Sequence, residues 1–99
     1  MKCDVSKIKD IKKFHDKIVK KFGRVDVLVN NAGVAFYKKL EDTDLEKIDD
    51  TVDVNLIGMI HFTKIFLKQL KRSKGTLVNI SSGAGLSPYS NFSVYCASK

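Results

Sequence analysis

The segment VDVLVN, residues 25–30, constrains the fold more than any other part of the sequence. It is nearly continuous in apolar residues, it follows Gly23, and it runs directly into the small residues Asn31, Ala32 and Gly33. An uninterrupted apolar strand is typical of a parallel sheet that is covered on both faces. A helix, a glycine and such a strand form the second half of a β-α-β unit, so we predict an α/β fold.

The residues before this strand, 6–22, have the period of an amphipathic helix. Apolar side chains recur at spacings of three and four residues, and lysines occupy most of the other positions. Ser6 is the predicted N-cap, and Gly23 is the predicted end of the helix. Such a basic face suits a nucleic acid or an anionic membrane, but more often it is simply solvated, and this is what we expect here.

Composition limits the class of protein. The chain has 99 residues, 43% hydrophobic and 29% charged, which suffices for one small soluble domain. No apolar run reaches the roughly 18 residues of a membrane span, and the first ten residues lack the apolar centre of a signal peptide. Cys3 and Cys96 have no metal-ligand spacing, so we expect reduced thiols, no metal and a cytoplasmic location.

The net charge of +7 permits nucleic-acid binding, but no motif supports it, so a nucleic-acid partner is not expected. Two further helices are predicted in the middle of the chain. Thr43 and Glu46 have the spacing of a capping box, so one helix should begin there. Residues 56–70 form a longer helix that is apolar on more than one side. Its second apolar side indicates contact with another subunit or with other parts of the same chain.

The last quarter of the chain contains three side chains that can act together. A second apolar strand pattern, residues 76–80, leads into Ser82, then into a loop with glycine, serine and proline, and then into Tyr95 and Lys99. On a helix, a spacing of four puts Tyr95 and Lys99 on one face. An ammonium group beside a phenol favours the phenolate, which lets a tyrosine exchange a proton near neutral pH. Because such a pair also occurs by chance, its interpretation depends on the other motifs.

Together these motifs resemble the short-chain dehydrogenase/reductase family. The resemblance rests on Asn30-Asn31-Ala32-Gly33 after the first strand, on Ser82 thirteen residues before Tyr95, and on Lys99. It covers essentially the whole chain. It implies a Rossmann-like, doubly wound parallel sheet and an oxidoreductase that transfers a hydride between NAD or NADP and a carbonyl or secondary alcohol. Neither the substrate nor the preference between the two cofactors follows from it.

The resemblance implies four catalytic residues and no metal. Tyr95 exchanges the proton, Ser82 holds the substrate oxygen, and Lys99 promotes the proton transfer and hydrogen-bonds the nicotinamide ribose. Asn55, in its Val-Asn-Leu setting, holds a water that connects the lysine to solvent. From the residues alone, the simpler interpretation of Asn55 is a boundary residue or the start of a helix.

The resemblance also implies a set of cofactor contacts at the carboxyl ends of the strands, where open α/β sheets bind ligands. These residues are Asp4, Val5, Asn31, Ala32, Gly33, Tyr95 and Lys99. Asp4 and Val5 would end a strand formed by residues 1–5 and meet the adenine, although an aspartate preceding a helix explains them equally well. Asparagine and glycine after a strand also suit a simple turn.

Compared with the family, the sequence lacks the glycine-rich turn that binds pyrophosphate and the strand whose end selects NAD or NADP. The resemblance therefore implies that residues 1–99 are a central fragment of one NAD(P)-binding domain, with the first strands and the C-terminal strands missing. Residues 1–5 then have no neighbour in the sheet, and the two apolar segments pair directly. A two-stranded sheet is a poor independent fold, so the fragment alone is expected to be unstable or inactive.

The expected partners are a small carbonyl or alcohol substrate and further copies of the complete protein, in a homodimer or homotetramer; no membrane partner is expected. A second hypothesis from a different class is a truncated relative without catalytic activity that serves as an interaction or dimerisation module. The four candidate catalytic residues favour the enzyme. The missing segments favour the module.

Overall fold

The computed structural model describes residues 1–99 and contains four α-helices and two strands. In chain order these are α1 (Ile8–Phe22), β1 (Val27–Asn30), α2 (Leu45–Val52), α3 (Met59–Ser73), β2 (Thr76–Asn79) and α4 (Ser93–Ser98). A π-helical segment, Asp53–Gly58, joins α2 to α3, and short 3₁₀ turns lie at Leu40–Asp42 and Gly83–Gly85. The predicted α/β class is confirmed.

The two strands pair directly and run parallel. Val27 lies opposite Thr76, and Asn30 lies opposite Asn79. This is the pairing expected for a central part of a larger sheet. Residues 1–5 form no strand, so the expected strand end at that place is wrong. These residues have no strand beside them with which to form a ladder of hydrogen bonds.

The N-terminal boundary of α1 also differs from the prediction. Lys7 is the N-cap and makes no capping hydrogen bond with its side chain. Ser6 is not the cap, because the helix begins one residue later than predicted; its hydroxyl donates to the carboxylate of Asp4 at 2.7 Å. The predicted end of the helix is confirmed: Gly23 has a φ of 75°, a left-handed conformation that glycine adopts without steric cost.

The capping box predicted at Thr43 and Glu46 does not form. Asp44 is the N-cap of α2 and makes no capping bond with its side chain. The Thr43 hydroxyl donates to the main-chain oxygen of Lys39 at 2.7 Å, and its oxygen accepts no hydrogen bond from the helix.

The long helix is continuous with the one before it. The residues on either side of Asp53–Gly58 have right-handed helical dihedral angles, so α2, the π-helical segment and α3 follow one another without a break. The predicted start at residue 56 is therefore wrong, and Asn55 lies inside a helix rather than at its beginning. An inserted π turn is often found at functional sites.

The core lies between α1 and α3. Ile11, Phe66 and Leu70 are the most deeply buried apolar residues, at 0%, 2% and 5% exposure. The ring of Phe14 lies 5.9 Å from that of Phe62 and 6.3 Å from that of Phe66, both edge-on. Phe62 and Phe66 stack at 5.6 Å. The regular spacing of apolar residues in α1 and α3 thus forms one aromatic core.

The sheet is covered on one face. α3 contacts both strands, and Leu28 and Val78 are half-buried beneath it. On the other face Val27 and Val29 remain exposed. Only 10 of the 99 residues are buried, which is in keeping with low stability of residues 1–99 alone, a property that stays a prediction. No helix has both the length and the apolar character that crossing a membrane requires.

Candidate active site

The carboxyl ends of the two strands meet at one edge of the sheet, and the candidate site lies there. Asn30, the last residue of β1, donates its side-chain amide to Asn79 at 2.8 Å and to Thr63 on α3 at 2.9 Å. These bonds tie both strand ends to the long helix. The segments that leave this edge are residues 31–33 after β1 and residues 80–82 after β2.

Asn55 connects this edge to α4. It is 4% exposed. Its Oδ1 accepts from the main-chain N–H of Val34 at 2.7 Å, while its Nδ2 donates to the Val34 carbonyl and to the Ser98 hydroxyl, both at 2.8 Å. Both amide hydrogens are used, and Oδ1 keeps one lone pair. The structure therefore shows Asn55 holding the loop after β1 against the last helix.

Gly58, at the end of the π-helical segment, determines how closely the N-terminal residues approach the helix. A Cβ at this position would lie 2.6 Å from the main-chain oxygen of Val5, so a larger residue would push the chain away. Sequence reasoning missed Gly58. The available signal was a glycine within an apolar helical pattern, which often marks a close approach of another backbone.

Gly33, Asn55 and Lys99 come together although they are far apart in sequence. A Cβ on Gly33 would lie 3.4 Å from Asn55 Oδ1 and 3.9 Å from Lys99 Nζ. Lys99 Nζ donates to the carbonyl of Ile80 at 2.8 Å. An ammonium group has three donors, so two remain unused by the chain.

Tyr95 and Ser82 present hydroxyl groups that other residues do not fully use. Tyr95 is half-buried in the first turn of α4, and its hydroxyl makes no hydrogen bond within the chain. Ser82 Oγ accepts from the main-chain N–H of Ala84 at 3.2 Å, which leaves its hydrogen free to donate. No hydrogen bond joins Ser82, Tyr95 and Lys99 to one another. The end of α4 is fixed instead by Ser81, whose hydroxyl donates to the Lys99 main-chain oxygen at 3.1 Å.

A cavity of about 100 Å³ lies beside Asn55 and Lys99, and neither Ser82 nor Tyr95 lines it. Its lining residues are Asn55, Met59, Asn79, Ile80, Ser81, Ser98 and Lys99. Several of them have polar side chains, and the space is sufficient for ordered water, which needs a volume of roughly 10–15 Å³ and two or more polar partners. The expected water site next to Asn55 and Lys99 is therefore sterically possible, and it stays a prediction.

Asp4 and Val5 lie in different surroundings. Val5 shares a small, largely apolar cavity with Asn30 and Ala32, next to the end of β1. The Asp4 carboxylate accepts from the Ser6 hydroxyl and pairs with Lys7 at 3.2 Å. The hydrogen bonds from the Ser6 side chain and amide, followed by Lys7, keep the pKa of Asp4 below its usual value. The structure thus brings Val5, but not the carboxylate of Asp4, into the lining of a cavity at the strand end.

The cysteines are outside this arrangement. Cys3 and Cys96 are free thiols. Burial, followed by the charges of Asp10 and Asp4, raises the pKa of Cys3, which keeps its thiol protonated. No group of three or more His, Cys, Asp or Glu side chains is placed to hold a metal ion. The functional groups at the strand ends are therefore hydroxyl, amide and ammonium groups.

Comparison with known proteins identifies a matching family and similar sequences. The family described as short chain dehydrogenase matches residues 1–99. "11-beta-hydroxysteroid dehydrogenase-like 4A" of Arabidopsis thaliana is 40% identical over 97 residues, which cover 97% of this chain and 32% of the relative. In Rattus norvegicus, a 15-hydroxyprostaglandin dehydrogenase whose name specifies NAD(+) is 39% identical over 103 residues, 100% of this chain and 36% of the relative. The chain spans about a third of the length of these curated relatives.

Solved structures agree with this similarity. One is an alcohol dehydrogenase from the archaeon Thermococcus sibiricus, complexed with 5-hydroxy-NADP. It superposes with a TM-score of 0.93 at 33% identity, and the match covers 97% of this chain and 41% of the dehydrogenase chain. The aldohexose dehydrogenase of Thermoplasma acidophilum gives a TM-score of 0.91 at 36% identity, and the match covers 99% of this chain and 39% of that enzyme's chain. The expected incomplete Rossmann-like architecture is confirmed.

Proposed function

The chain belongs to the short-chain dehydrogenase family, and from this premise we propose that it carries the proton-transfer site of an oxidoreductase that uses NAD or NADP and interconverts a carbonyl and a secondary alcohol. One observation supports this most directly: Ser82 and Lys99 lie just beyond the end of β2, and they and Tyr95 of α4 keep polar hydrogens that the chain itself does not use. Polar groups without internal partners at a strand end suit a polar ligand.

The residues at this edge fit a nicotinamide cofactor. Residues 31–33 are small or exposed, so a ligand can approach their backbone closely. The two unused donors of Lys99 suit ribose hydroxyls. Val5, next to the end of β1, and Asp4 are proposed for the adenine side. When bound, the nicotinamide ring supplies or accepts the hydride.

The proposed proton transfer uses Tyr95. In the reducing direction its hydroxyl gives a proton to the carbonyl oxygen as that oxygen becomes an alcohol, and in the oxidising direction the phenolate takes the proton back. The free hydrogen of Ser82 donates to the same oxygen. Lys99 is proposed to assist this proton transfer. Asn55 fixes the loop after β1, and its remaining lone pair is proposed to hold a water in the adjacent cavity.

The test is Tyr95→Phe, assayed by NADH and NADPH oxidation with a panel of carbonyl compounds. General acid–base catalysis contributes about 10²–10⁴-fold, so kcat should fall by that factor while cofactor binding stays within about twofold. Tyr89→Phe is the matched control, because it removes an exposed tyrosine hydroxyl from the same loop region and should change kcat by less than about threefold. Undiminished activity of Tyr95→Phe would contradict the proposal.

We also propose that the complete protein is a homodimer or homotetramer in which the long helix meets a second copy. The long helix has exposed apolar side chains at Ile57 in the π-helical segment and at Ile60 and Leu67 in α3. In a two-fold interface the same patch of each copy contacts the other copy. Ile60→Glu should dissociate the oligomer in light scattering. A purely non-catalytic interaction module is not favoured, since the named relatives are dehydrogenases.

A further inference from the structure

Asn91 connects the loop after β1 to the start of α4 through two hydrogen bonds. Its Nδ2 donates to the Tyr37 hydroxyl at 2.8 Å. Its main-chain oxygen accepts from the N–H of Lys38 at 3.0 Å. Asn91 has a φ of 60°, a left-handed conformation that asparagine adopts more readily than most residues. Both the residue type and its conformation therefore suit a fixed connection at this point.

Two aromatic contacts extend this connection to Tyr95. The ring of Tyr37 lies 5.2 Å from that of Phe92 at an angle of 62°, and the ring of Phe92 lies 6.0 Å from that of Tyr95 at 61°. Both contacts are edge-to-face, a geometry that aromatic pairs prefer. Phe92 is thus held between two tyrosine rings, and the ring of Tyr95 has a defined neighbour on one side.

α4 depends on such contacts for its position. It has six residues, and Phe92 at its N-cap makes no capping hydrogen bond with a side chain. A helix this short has little stability of its own. Its far end is held by Asn55 through Ser98 at 2.8 Å. Tyr95 therefore lies between two points at which α4 is attached to the loop after β1.

We propose that Tyr37, Asn91 and Phe92, here named the aromatic latch, position the Tyr95 hydroxyl for proton transfer. This inference rests on the proposed function. The three are positioning residues, because they act through the ring of Tyr95 and need not touch the substrate. Displacement of a reacting group by about 1 Å can lower a rate by about 100-fold, so a small movement of Tyr95 has a measurable effect.

Two substitutions in the intact protein that carries residues 1–99 test the latch. Tyr37→Phe removes the hydrogen-bonding oxygen and keeps the ring, and Asn91→Gly removes the side chain at a left-handed position that glycine tolerates. Each is expected to lower kcat about tenfold with the KM for the cofactor within about twofold. The double variant should lose less than the product of the two, because both remove the same bond.

The decisive measurement repeats Tyr37→Phe in a Tyr95→Phe background. If the latch acts through the Tyr95 hydroxyl, the residual activity should not fall further. A tenfold loss that persists in that background would overturn the inference, as would an unchanged kcat for Tyr37→Phe alone.

Thr43→Val is the matched control in the same loop, since it removes the bond from Thr43 to the Lys39 carbonyl and leaves the bond between Asn91 and Tyr37 in place. Its kcat should stay within about twofold, and a tenfold loss there would show general loosening of the loop and overturn the latch. Failure of the latch is distinguishable from failure of the proposed function. In the first case Tyr95→Phe still lowers kcat by about 10²–10⁴-fold, and in the second it keeps its activity.

Discussion

Between α1 and α3 the contacts are apolar, with Phe14, Phe62 and Phe66 packed ring against ring. At the strand ends the contacts are directional, and side chains such as Asn55 and Lys99 bond to main-chain groups of distant loops. The hydrophobic effect is non-directional, whereas hydrogen bonds weaken steeply as their geometry departs from linear. We infer that the aromatic core between α1 and α3 mainly determines the free energy of unfolding. The hydrogen bonds at the strand ends mainly determine the positions of the reactive groups.

Phe66→Ala should have the largest effect on stability. Phe66 is 2% exposed and contacts both other rings of the core, so its removal is expected to lower the free energy of unfolding by about 3–5 kcal/mol. The kcat of the molecules that remain folded should not change. Denaturant unfolding and active-site titration measure both quantities, with the exposed Phe22→Ala as control. A lower kcat per folded molecule would show that the core also positions the reactive groups, against the separation of roles between the two regions.

Asn55→Ala should disturb both properties. The substitution removes three hydrogen bonds and leaves the N–H and carbonyl of Val34 without these partners, which is expected to cost about 2–3 kcal/mol. We also expect kcat to fall about 100-fold, because the connection between the loop and α4 through Asn55 is lost. Thermal unfolding and steady-state kinetics are the measurements. Ser73→Ala, which removes a bond to the Val25 carbonyl before the start of β1, is the control; a similar loss of kcat there would count against a special role for Asn55.

Gly58→Ala tests the close contact between the π-helical segment and the N-terminal residues. Its Cβ would lie 2.6 Å from the Val5 oxygen, so the N-terminal segment must shift, at an expected cost of about 1–3 kcal/mol. Cofactor affinity, measured by NADPH and NADH fluorescence, should fall because Val5 moves. Gly23→Ala is strained at its φ of 75° but meets nothing within 4 Å, so it should lower stability and leave affinity unchanged. Equal affinities in the two variants would contradict this prediction.

The smallest expected effect concerns pH. The Ser6 hydroxyl and amide, followed by Lys7, lower the pKa of Asp4, so the ionised carboxylate favours the folded turn. This contribution is present above the unfolded pKa near 3.9 and is lost as pH falls through the lower native pKa. Ser6→Ala should raise the pKa of Asp4 towards its ordinary value in an NMR titration. An identical titration curve in the variant would remove Ser6 as the cause.

Much of the fold is visible in the sequence because it depends on repeated patterns. The two apolar segments predict the parallel strands, and Gly23 predicts the end of α1. Individual hydrogen bonds of polar side chains are not visible in the same way. Ser6 and Thr43 have the residue types of helix caps, yet each helix begins one residue later, and the two hydroxyls donate to a carboxylate in one case and a carbonyl in the other. Where a helix begins, to within one residue, is decided by the folded chain.

For the candidate site, the sequence identifies Ser82, Tyr95 and Lys99 from spacing and resemblance, and their roles stay predictions. It does not reveal that Asn55 bonds to Val34, because that contact joins residues 21 positions apart. Nor does it reveal the latch at Asn91, whose partners are more than fifty positions away. Contacts of this kind depend on the angle of a helix, which apolar periodicity does not define.

The π-helical segment has a consequence for changes in chain length. An α-helix turns about 100° per residue. Deleting one residue within Asp53–Gly58 would therefore rotate Asn55 and α2 relative to α3 while the aromatic side of α3 kept its place. Point substitutions here alter single contacts, but an insertion or deletion alters the phase between the two halves of the helix. We expect evolution to conserve the number of residues in this segment more strictly than most of their identities.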